Sequence, residues 1–316
     1  MIGGRLAAGG LRKSGAACAV LGATMLWGCP GDLEKQSEIV KLRVLAVQAE
    51  PAELIVDPAQ PLPRTTLTAL AVEPSGAPIA MEYALCTVQQ AVPPPNVDCP
   101  GTQGIPLPPA GPTSAVLDLG DPRAIALALQ LAQDGGMADG GALPPEGIPV
   151  LVGFRATAPA HTLPDGGPPA ADGGDLQVFR GLTTVTARGP GAPPNQNPGI
   201  AAVSLGAAGI EIAADGTTAA PASTIQRVTP IPAPGAKEPA DGGVEALGYS
   251  FFATAGSISD LRSTDTTATG EPADTFVDWT TPGTAQQARL WVVVRDGRGG
   301  VGWIARSVQV TPPAGR

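Results

Sequence analysis

The sequence predicts an all-β protein made of two antiparallel β-sandwich domains, and three features of the chain support this. Short apolar runs with partial alternation recur along it, and most of them stop at proline, glycine or an acidic residue. Glycine (42 residues) and proline (36) are abundant, which indicates many turns and loops. The hydrophobic content of 43% is too high for a wholly disordered chain. Strands separated by turn-rich connections favour antiparallel sandwiches over a parallel α/β sheet.

The first domain is predicted over residues 38–190. Its candidate strands are KLRVLAVQAEP, RTTLTALAVEP, IAMEYALC, TSAVLDLG, IPVLVGFRATA and LQVFRGLTTVTA. The segment DPRAIALALQLAQDGG differs, because Asp121 and Pro122 are typical of a helix N-terminus while its leucines alternate with the period of a strand. Alanine, leucine and glutamine favour helix, so we predict one short helix near residues 122–133.

The clearest domain boundary is the stretch RGPGAPPNQNPG, which is rich in proline and glycine. We place a linker at residues 191–199 and the second domain at residues 200–312. About seven short strands in this domain, with turn signals between them, are typical of an immunoglobulin-like sandwich. Asp296 and Gly297 begin the turn of its last hairpin. We therefore expect two immunoglobulin-like sandwiches in tandem.

The N-terminus has the organisation of a secretory signal peptide. Residues 1–13 carry only basic charge, and an uncharged run of 15 residues follows, shorter than the roughly 20 that a spanning helix needs. That run ends in Leu26-Trp27-Gly28-Cys29, which resembles the lipobox of bacterial lipoproteins, with Trp27 bulkier than the usual residue. The resemblance implies cleavage after residue 28 and acylation of Cys29. The alternative is that Cys29 is only a small apolar residue of a cleaved peptide.

A wider resemblance extends over most of the chain. The segments LRVLAVQAEP, TLTALAVEP, YALC, NQNPG and VVVRDGRGGVGW, in this order, resemble a set of myxobacterial lipoproteins that have no established activity. The likeness implies a cell-envelope location, with residues 29–37 as a tether and the lipid in the membrane. Pro30 stands where an aspartate commonly retains lipoproteins in the inner membrane, so we expect the outer membrane.

The charge of the chain excludes one class of partner. The formal net charge is −9, and removal of the three basic residues of the signal peptide brings it to −12. No basic stripe offsets this excess, so we expect no nucleic-acid binding. No cofactor motif is present, and no cofactor is expected.

Cys86 and Cys99 are the cysteines that follow Cys29. An even pair in an exported protein predicts a disulfide, since redox catalysis favours C-x-x-C spacing and metal binding needs more ligands. On the chain-entropy model, closing this loop stabilises the fold by about 3 kcal/mol.

Two further groups of residues are weak site candidates. The acidic stretch SDLRSTDTTATGEPADTFVD could bind calcium between loops, although solvated loop acids are the commoner case. Its carboxylates belong to Asp260, Asp265, Glu271, Asp274 and Asp278. The second group lies near the last hairpin. Trp303 could belong to an aromatic platform or to the core. Arg295 and Arg298 could contact an acidic partner or could simply be solvent-exposed.

These features favour a non-catalytic role. His161 is the only histidine, and no nucleophile motif accompanies it, so we predict that the protein is not an enzyme. We expect a lipid-anchored binding or scaffolding module whose partner is an envelope protein or a glycan. The alternatives are a surface adhesion or polysaccharide-binding protein and, ranked lower, a hydrolase.

Overall fold

The computed structural model describes residues 36–87, 99, 104–124, 147–160, 176–240, 243–267 and 270–313. These residues belong to one compact unit, Gln36–Arg316. Strands dominate it, and residues 122–124 form a single helical turn.

The first sandwich packs a four-stranded sheet on a five-stranded sheet. The four-stranded sheet has the order β1-β3-β7-β6, and the five-stranded sheet has the order β2-β9-β8-β4-β5. The strands are β1 (Arg43–Glu50), β2 (Glu53–Ile55), β3 (Arg64–Val72), β4 (Ala80–Leu85), β5 (Ile105–Pro106), β6 (Pro109–Gly111), β7 (Ser114–Asp118), β8 (Ile148–Pro159) and β9 (Leu176–Arg188).

The second sandwich is built from two five-stranded sheets, of order β11-β10-β13-β19-β17 and β12-β21-β20-β16-β18, with a small β14-β15 hairpin beside them. Its strands are β10 (Ile200–Leu205), β11 (Ile210–Glu211), β12 (Ala219–Pro221), β13 (Ile225–Pro232), β14 (Pro239–Ala240), β15 (Gly243–Val244), β16 (Gly248–Ala253), β17 (Ser257–Ile258), β18 (Arg262–Thr264), β19 (Val277–Thr280), β20 (Gln286–Arg295) and β21 (Val301–Thr311).

The two sandwiches repeat one topology. The order β2-β9-β8-β4-β5 of the first matches β12-β21-β20-β16-β18 of the second, and β1-β3-β7-β6 matches β10-β13-β19-β17. In each sandwich the pairing is antiparallel except where a short edge strand, β2 or β12, runs parallel to the last strand, β9 or β21. The predicted all-β fold of immunoglobulin-like sandwiches is confirmed. Of the predicted helix, residues 122–124 are helical, and residues 125–133 lie outside the described residues.

Each sandwich has its own apolar core. In the first, Leu54, Leu67 and Leu117 are completely buried between the sheets. In the second, Trp279 fills the core with no exposed surface, and its indole nitrogen donates to the carbonyl of Ala255 at 3.0 Å. Burial of such side chains is the main favourable contribution to folding.

A third apolar cluster joins the sandwiches. Strand β20 is apolar on both faces: Leu290, Val292 and Val294 point into the second core, whereas Trp291 and Val293 point outward and are still buried. The outward side chains pack against the outer face of the first sandwich, so the second sandwich has no solvent-exposed sheet face at this position. The cluster consists of Ile39, Leu45, Ala46, Leu70, Val72, Phe252, Trp291, Val293, Val301, Trp303 and Ala305.

Candidate functional site

The candidate site lies where the sandwiches meet, around the turn between β20 and β21. The connecting segment after β9 approaches this turn closely. A Cβ added to Gly302 would stand 1.9 Å from the carbonyl oxygen of Pro198, and one added to Gly300 would stand 2.7 Å from the carbonyl oxygen of Gln196. Glycines are therefore required at these positions so that the two backbones can pack together.

A buried ion pair holds the start of the connecting segment. Arg188 Nε donates to Glu53 Oε2 at 3.0 Å, and the two side chains are 7% and 10% exposed. The same guanidinium donates to the carbonyls of Ala192 and Pro193, at 3.0 and 2.8 Å. A buried pair whose other donors are also satisfied specifies a single geometry for the segment.

Asn195 continues this network into the second sandwich. Its backbone N–H donates to Glu53 Oε2 at 2.9 Å, and its side-chain amide donates to Asp296 Oδ2 at 2.8 Å. Asp296 Oδ1 accepts from the backbone N–H groups of Arg298 and Gly300, at 2.7 and 2.9 Å. Burial raises the pKa of Asp296, and the nearby charge of Glu245 adds to this shift while the donated hydrogen bonds oppose it. Glu53 and Asp296 are thus linked through one asparagine.

Two more side chains, those of Gln48 and Asn197, make hydrogen bonds at the interface. Gln48 Nε2 donates to the Val301 carbonyl at 2.6 Å. Asn197 donates to the Ala49 carbonyl at 2.7 Å and accepts from the Val301 N–H at 2.9 Å. The stretch read from composition as a linker is therefore hydrogen-bonded to both sandwiches.

The arginines and the tryptophan predicted as binding candidates have structural contacts here. Arg298 forms ion pairs with Glu238 and Glu245. Trp303 is half-buried against the third apolar cluster. Arg289, by contrast, is exposed and lies over the ring of Trp291, with its guanidinium carbon 5.2 Å from the ring centroid.

Arg295 lines a groove at the rim of the interface. It donates to the Leu45 carbonyl of the first sandwich at 2.9 Å and to Ser250 Oγ at 3.3 Å. The groove has a volume of about 440 Å³, and Arg262 and Thr264 of β18 form its other side. Burial lowers the pKa of Arg295, and the positive charge of Arg262 lowers it further.

The predicted calcium ligands are dispersed over the structure. Asp265 accepts from the Leu247 N–H at 2.8 Å and forms an ion pair with Lys237. Asp278 lies on β19, opposite Arg227 of β13. Asp260 and Asp274 are exposed. In the described part of the chain, no three carboxylate, cysteine or histidine side chains converge on a point where a metal ion could bind.

The predicted disulfide is confirmed. Cys86 and Cys99 are bonded, with their Cα atoms 5.8 Å apart, and both are completely buried. The lipobox residues Leu26, Gly28 and Cys29 lie outside the described residues, as does His161. None of the helical residues described belongs to a helix long and apolar enough to cross a membrane.

Four residues of this region could not be predicted from the sequence patterns. Glu53 and Asn195 have no distinctive sequence pattern, and the signal at Arg188 is only that a charged residue ends a strand, where it is buried when it is paired. Arg262 lies in the acidic stretch SDLRSTDTTATGEPADTFVD, whose composition indicates carboxylates and not a basic groove.

The fold defines this chain as a tandem immunoglobulin-like β-sandwich protein. No family model and no curated protein matches it. Among solved structures, it is similar to the D00-D0 domain of intimin at 10% identity, over 84% of this chain and 100% of that one, with a TM-score of 0.24.

Two other solved structures show similarly distant likenesses. The FN1-FN3 domains of chicken CNTN1 are 11% identical over 86% of this chain and 66% of that one, with a TM-score of 0.21. SGBP-B of the mixed-linkage glucan utilization locus of Bacteroides ovatus, solved with a mixed-linkage heptasaccharide, is 9% identical over 86% of this chain and 47% of that one, with a TM-score of 0.20. No functional conclusion follows from likenesses at this level.

Proposed function

We propose that this chain is a lipid-anchored protein of the bacterial cell envelope that acts as a non-catalytic binding or scaffolding module. Its anchor is a set of acyl chains on Cys29, and its location is the outer membrane. The lipobox residues Leu26 and Gly28 support the anchor, because several acyl chains on one residue hold a protein stably at a membrane. Pro30 after the anchor supports the outer membrane.

The observation that carries the scaffolding role is the joint between the sandwiches. The apolar cluster around Trp291 packs the two sandwiches together, and Asn195 bonds both to Glu53 of the buried ion pair in the first sandwich and to Asp296 of the second. Loops on both sandwiches are therefore presented at one separation and angle. Preorganised surfaces lose less conformational entropy on binding, which suits a module that holds a partner.

The start of the described chain strengthens this arrangement. Residues 37–39 pair with Ala253 of the second sandwich before the chain enters β1 of the first: Ile39 N–H donates to the Ala253 carbonyl at 2.8 Å, and Ala253 N–H donates to the Ser37 carbonyl at 2.9 Å. Residues 37–39 are therefore bonded to the second sandwich and continue directly into the first, so they connect the two.

The anchor is tested by metabolic labelling with a fatty-acid analogue. We expect label on the wild type and none on Cys29→Ser. Cys18→Ser is the matched control, because Cys18 lies in the same apolar run without a leucine three residues before it. Label that persists on Cys29→Ser contradicts the proposed anchor.

The scaffolding role is tested by cross-linking the tagged, lipidated protein in cells and identifying what is captured by mass spectrometry. A single reproducible envelope protein, absent from the Cys29→Ser sample, is expected for a scaffold. Capture of the same proteins by an unrelated lipidated control contradicts this role.

The second candidate function is glycan binding at the cell surface, and the groove beside Arg295 favours it. Proteolysis of intact cells separates the two candidates. Cleavage of the protein supports surface exposure and glycan binding, whereas protection supports a scaffold that faces the periplasm.

A further inference from the structure

Arg295 is a half-buried cation without a carboxylate partner in the described part of the chain. Arg262, on the neighbouring edge of the sheet, is exposed and likewise has no carboxylate partner among the described residues. Arg188 and Arg298 both have acidic partners, whereas the hydrogen bonds of the Arg295 guanidinium go to a carbonyl and a hydroxyl oxygen. A desolvated guanidinium is stabilised most by a carboxylate that accepts two hydrogen bonds from it.

The repeated topology shows where such a carboxylate would lie. Tyr83 of β4 and Tyr249 of β16 occupy equivalent positions, since both point into a core and lie opposite the equivalent strands β8 and β20. The residue before each tyrosine faces outward and lies opposite an arginine. In the first sandwich these residues are Glu82 and Arg155, which form an ion pair at 2.8 Å.

In the second sandwich the pair is Gly248 and Arg295. The second sandwich thus has an arginine at the position of Arg155 and a glycine at the position of Glu82, so no side chain occupies the place of the glutamate. A Cβ added to Gly248 would meet nothing closer than the Arg295 carbonyl, at 3.9 Å. The floor of the groove is thus a glycine beside an arginine that has no carboxylate partner among the described residues.

The surroundings of this space fit a sugar acid. Gly248 lies between Thr264 and Arg295, and Ser250 lies between Arg262 and Val293, so two guanidinium groups and two hydroxyl groups face the same side of the sheet. Phe252 and Leu45 supply apolar surface in the same groove. The groove opens on the face of the sheet, whereas an extended peptide would pair with the backbone at an edge.

We infer that this groove binds a hexuronate unit of an acidic polysaccharide, whose carboxylate takes the place opposite Arg295 that Glu82 takes opposite Arg155. Arg262 binds the same carboxylate from the other side, and the hydroxyls of Ser250 and Thr264 contact the ring oxygens of the sugar. The inference deepens the glycan-binding candidate of the proposed function and rests on it.

The experiment is calorimetric titration of the full chain, purified in detergent, with trigalacturonate as the probe and maltotriose as the neutral comparison. We expect trigalacturonate to bind and maltotriose not to bind. Arg295→Gln, Arg262→Gln and Gly248→Glu should each weaken trigalacturonate binding by about tenfold or more, which corresponds to about 1.4 kcal/mol. Gly248→Glu keeps both arginines and places an internal carboxylate in the groove, so it tests the site even if Arg295→Gln fails to fold.

Arg227→Gln is the matched control. It changes the net charge by the same amount as Gly248→Glu, but Arg227 lies on the opposite sheet and stacks on Phe276, with its guanidinium carbon 3.7 Å from the ring centroid. Unchanged binding by this variant supports the inference. The inference is overturned if Arg227→Gln weakens binding as much as Gly248→Glu, if maltotriose binds equally, if hexaglutamate binds more tightly than trigalacturonate, or if no probe binds.

These results are independent of the anchor. Acylation of Cys29 and capture of a partner in cells would remain unaffected if the groove bound nothing, and binding to the purified chain can be measured whether or not Cys29 is acylated.

Discussion

Substitution of Trp291 is the most direct test of the interface between the sandwiches. Trp291 belongs to the second sandwich, yet its side chain points away from that core and is only 4% exposed. Removing it should therefore destabilise contacts with a sandwich to which it does not belong. A residue on a free sheet face could not have this effect.

The magnitude follows from the buried area. A tryptophan side chain buries about 200 Å², which at about 25 cal/mol per Å² corresponds to about 5 kcal/mol. Large-to-small substitutions of buried aromatic residues cost about 3–5 kcal/mol. We expect Trp291→Ala to lower the free energy of unfolding by about 3 kcal/mol or more, since relaxation at an interface recovers part of the loss.

The assay combines urea unfolding with hydrogen–deuterium exchange resolved by peptide. The exchange of β1 and β3, which belong to the first sandwich, should accelerate in Trp291→Ala. Ile225→Ala is the control, because Ile225 is 70% exposed and its truncation should change stability by about 0.5 kcal/mol or less. If Trp291→Ala leaves the exchange of β1 and β3 unchanged, the two sandwiches are not packed through this residue.

Three further predictions concern the same unit. Asp296→Ala leaves three donors without an acceptor and should cost about 3 kcal/mol in urea unfolding, whereas Asp296→Asn should cost much less. Because burial raises the folded-state pKa of Asp296, the contribution of this group to stability falls as pH rises through that pKa. The free energy of unfolding of Asp296→Asn should therefore increase relative to that of the wild type as pH rises. A difference that stays constant with pH would contradict this. Gly302→Ala would bring a methyl group 1.9 Å from the carbonyl oxygen of Pro198, so it should lower the melting temperature. A melting temperature equal to that of the wild type would show that the connecting segment is not packed there. Reduction of the Cys86–Cys99 disulfide should lower the free energy of unfolding by about 3 kcal/mol, and an unchanged urea midpoint in reductant would be the contrary result.

Much of the architecture could be predicted from local patterns. Runs such as RTTLTALAVEP and IPVLVGFRATA became β3 and β8, because period-two alternation is a property of the extended backbone itself. The disulfide followed from the number of cysteines and their separation. The apolar character of both faces of β20 was also visible, but what covers the second face was not.

The packing of the segment between the sandwiches depends on long-range contacts. Proline and glycine marked residues 188–199 as a boundary, and only the fold placed Asn195 between Glu53 and Asp296, which are far apart in the chain. A composition rich in turn residues indicates where strands end, but it does not indicate whether the segment packs against its neighbours.

The groove beside Arg295 shows most clearly which features local sequence predicts and which depend on long-range contacts. The all-β class, the tandem sandwiches and the disulfide could be predicted from local sequence, since they depend on residue type and near-neighbour spacing. Two features required the folded structure: Gly248 lies opposite Arg295 as Glu82 lies opposite Arg155, and Trp291 is covered by the first sandwich. Strand register and sheet packing are set by which distant surfaces are buried together, and that information is spread over the whole chain.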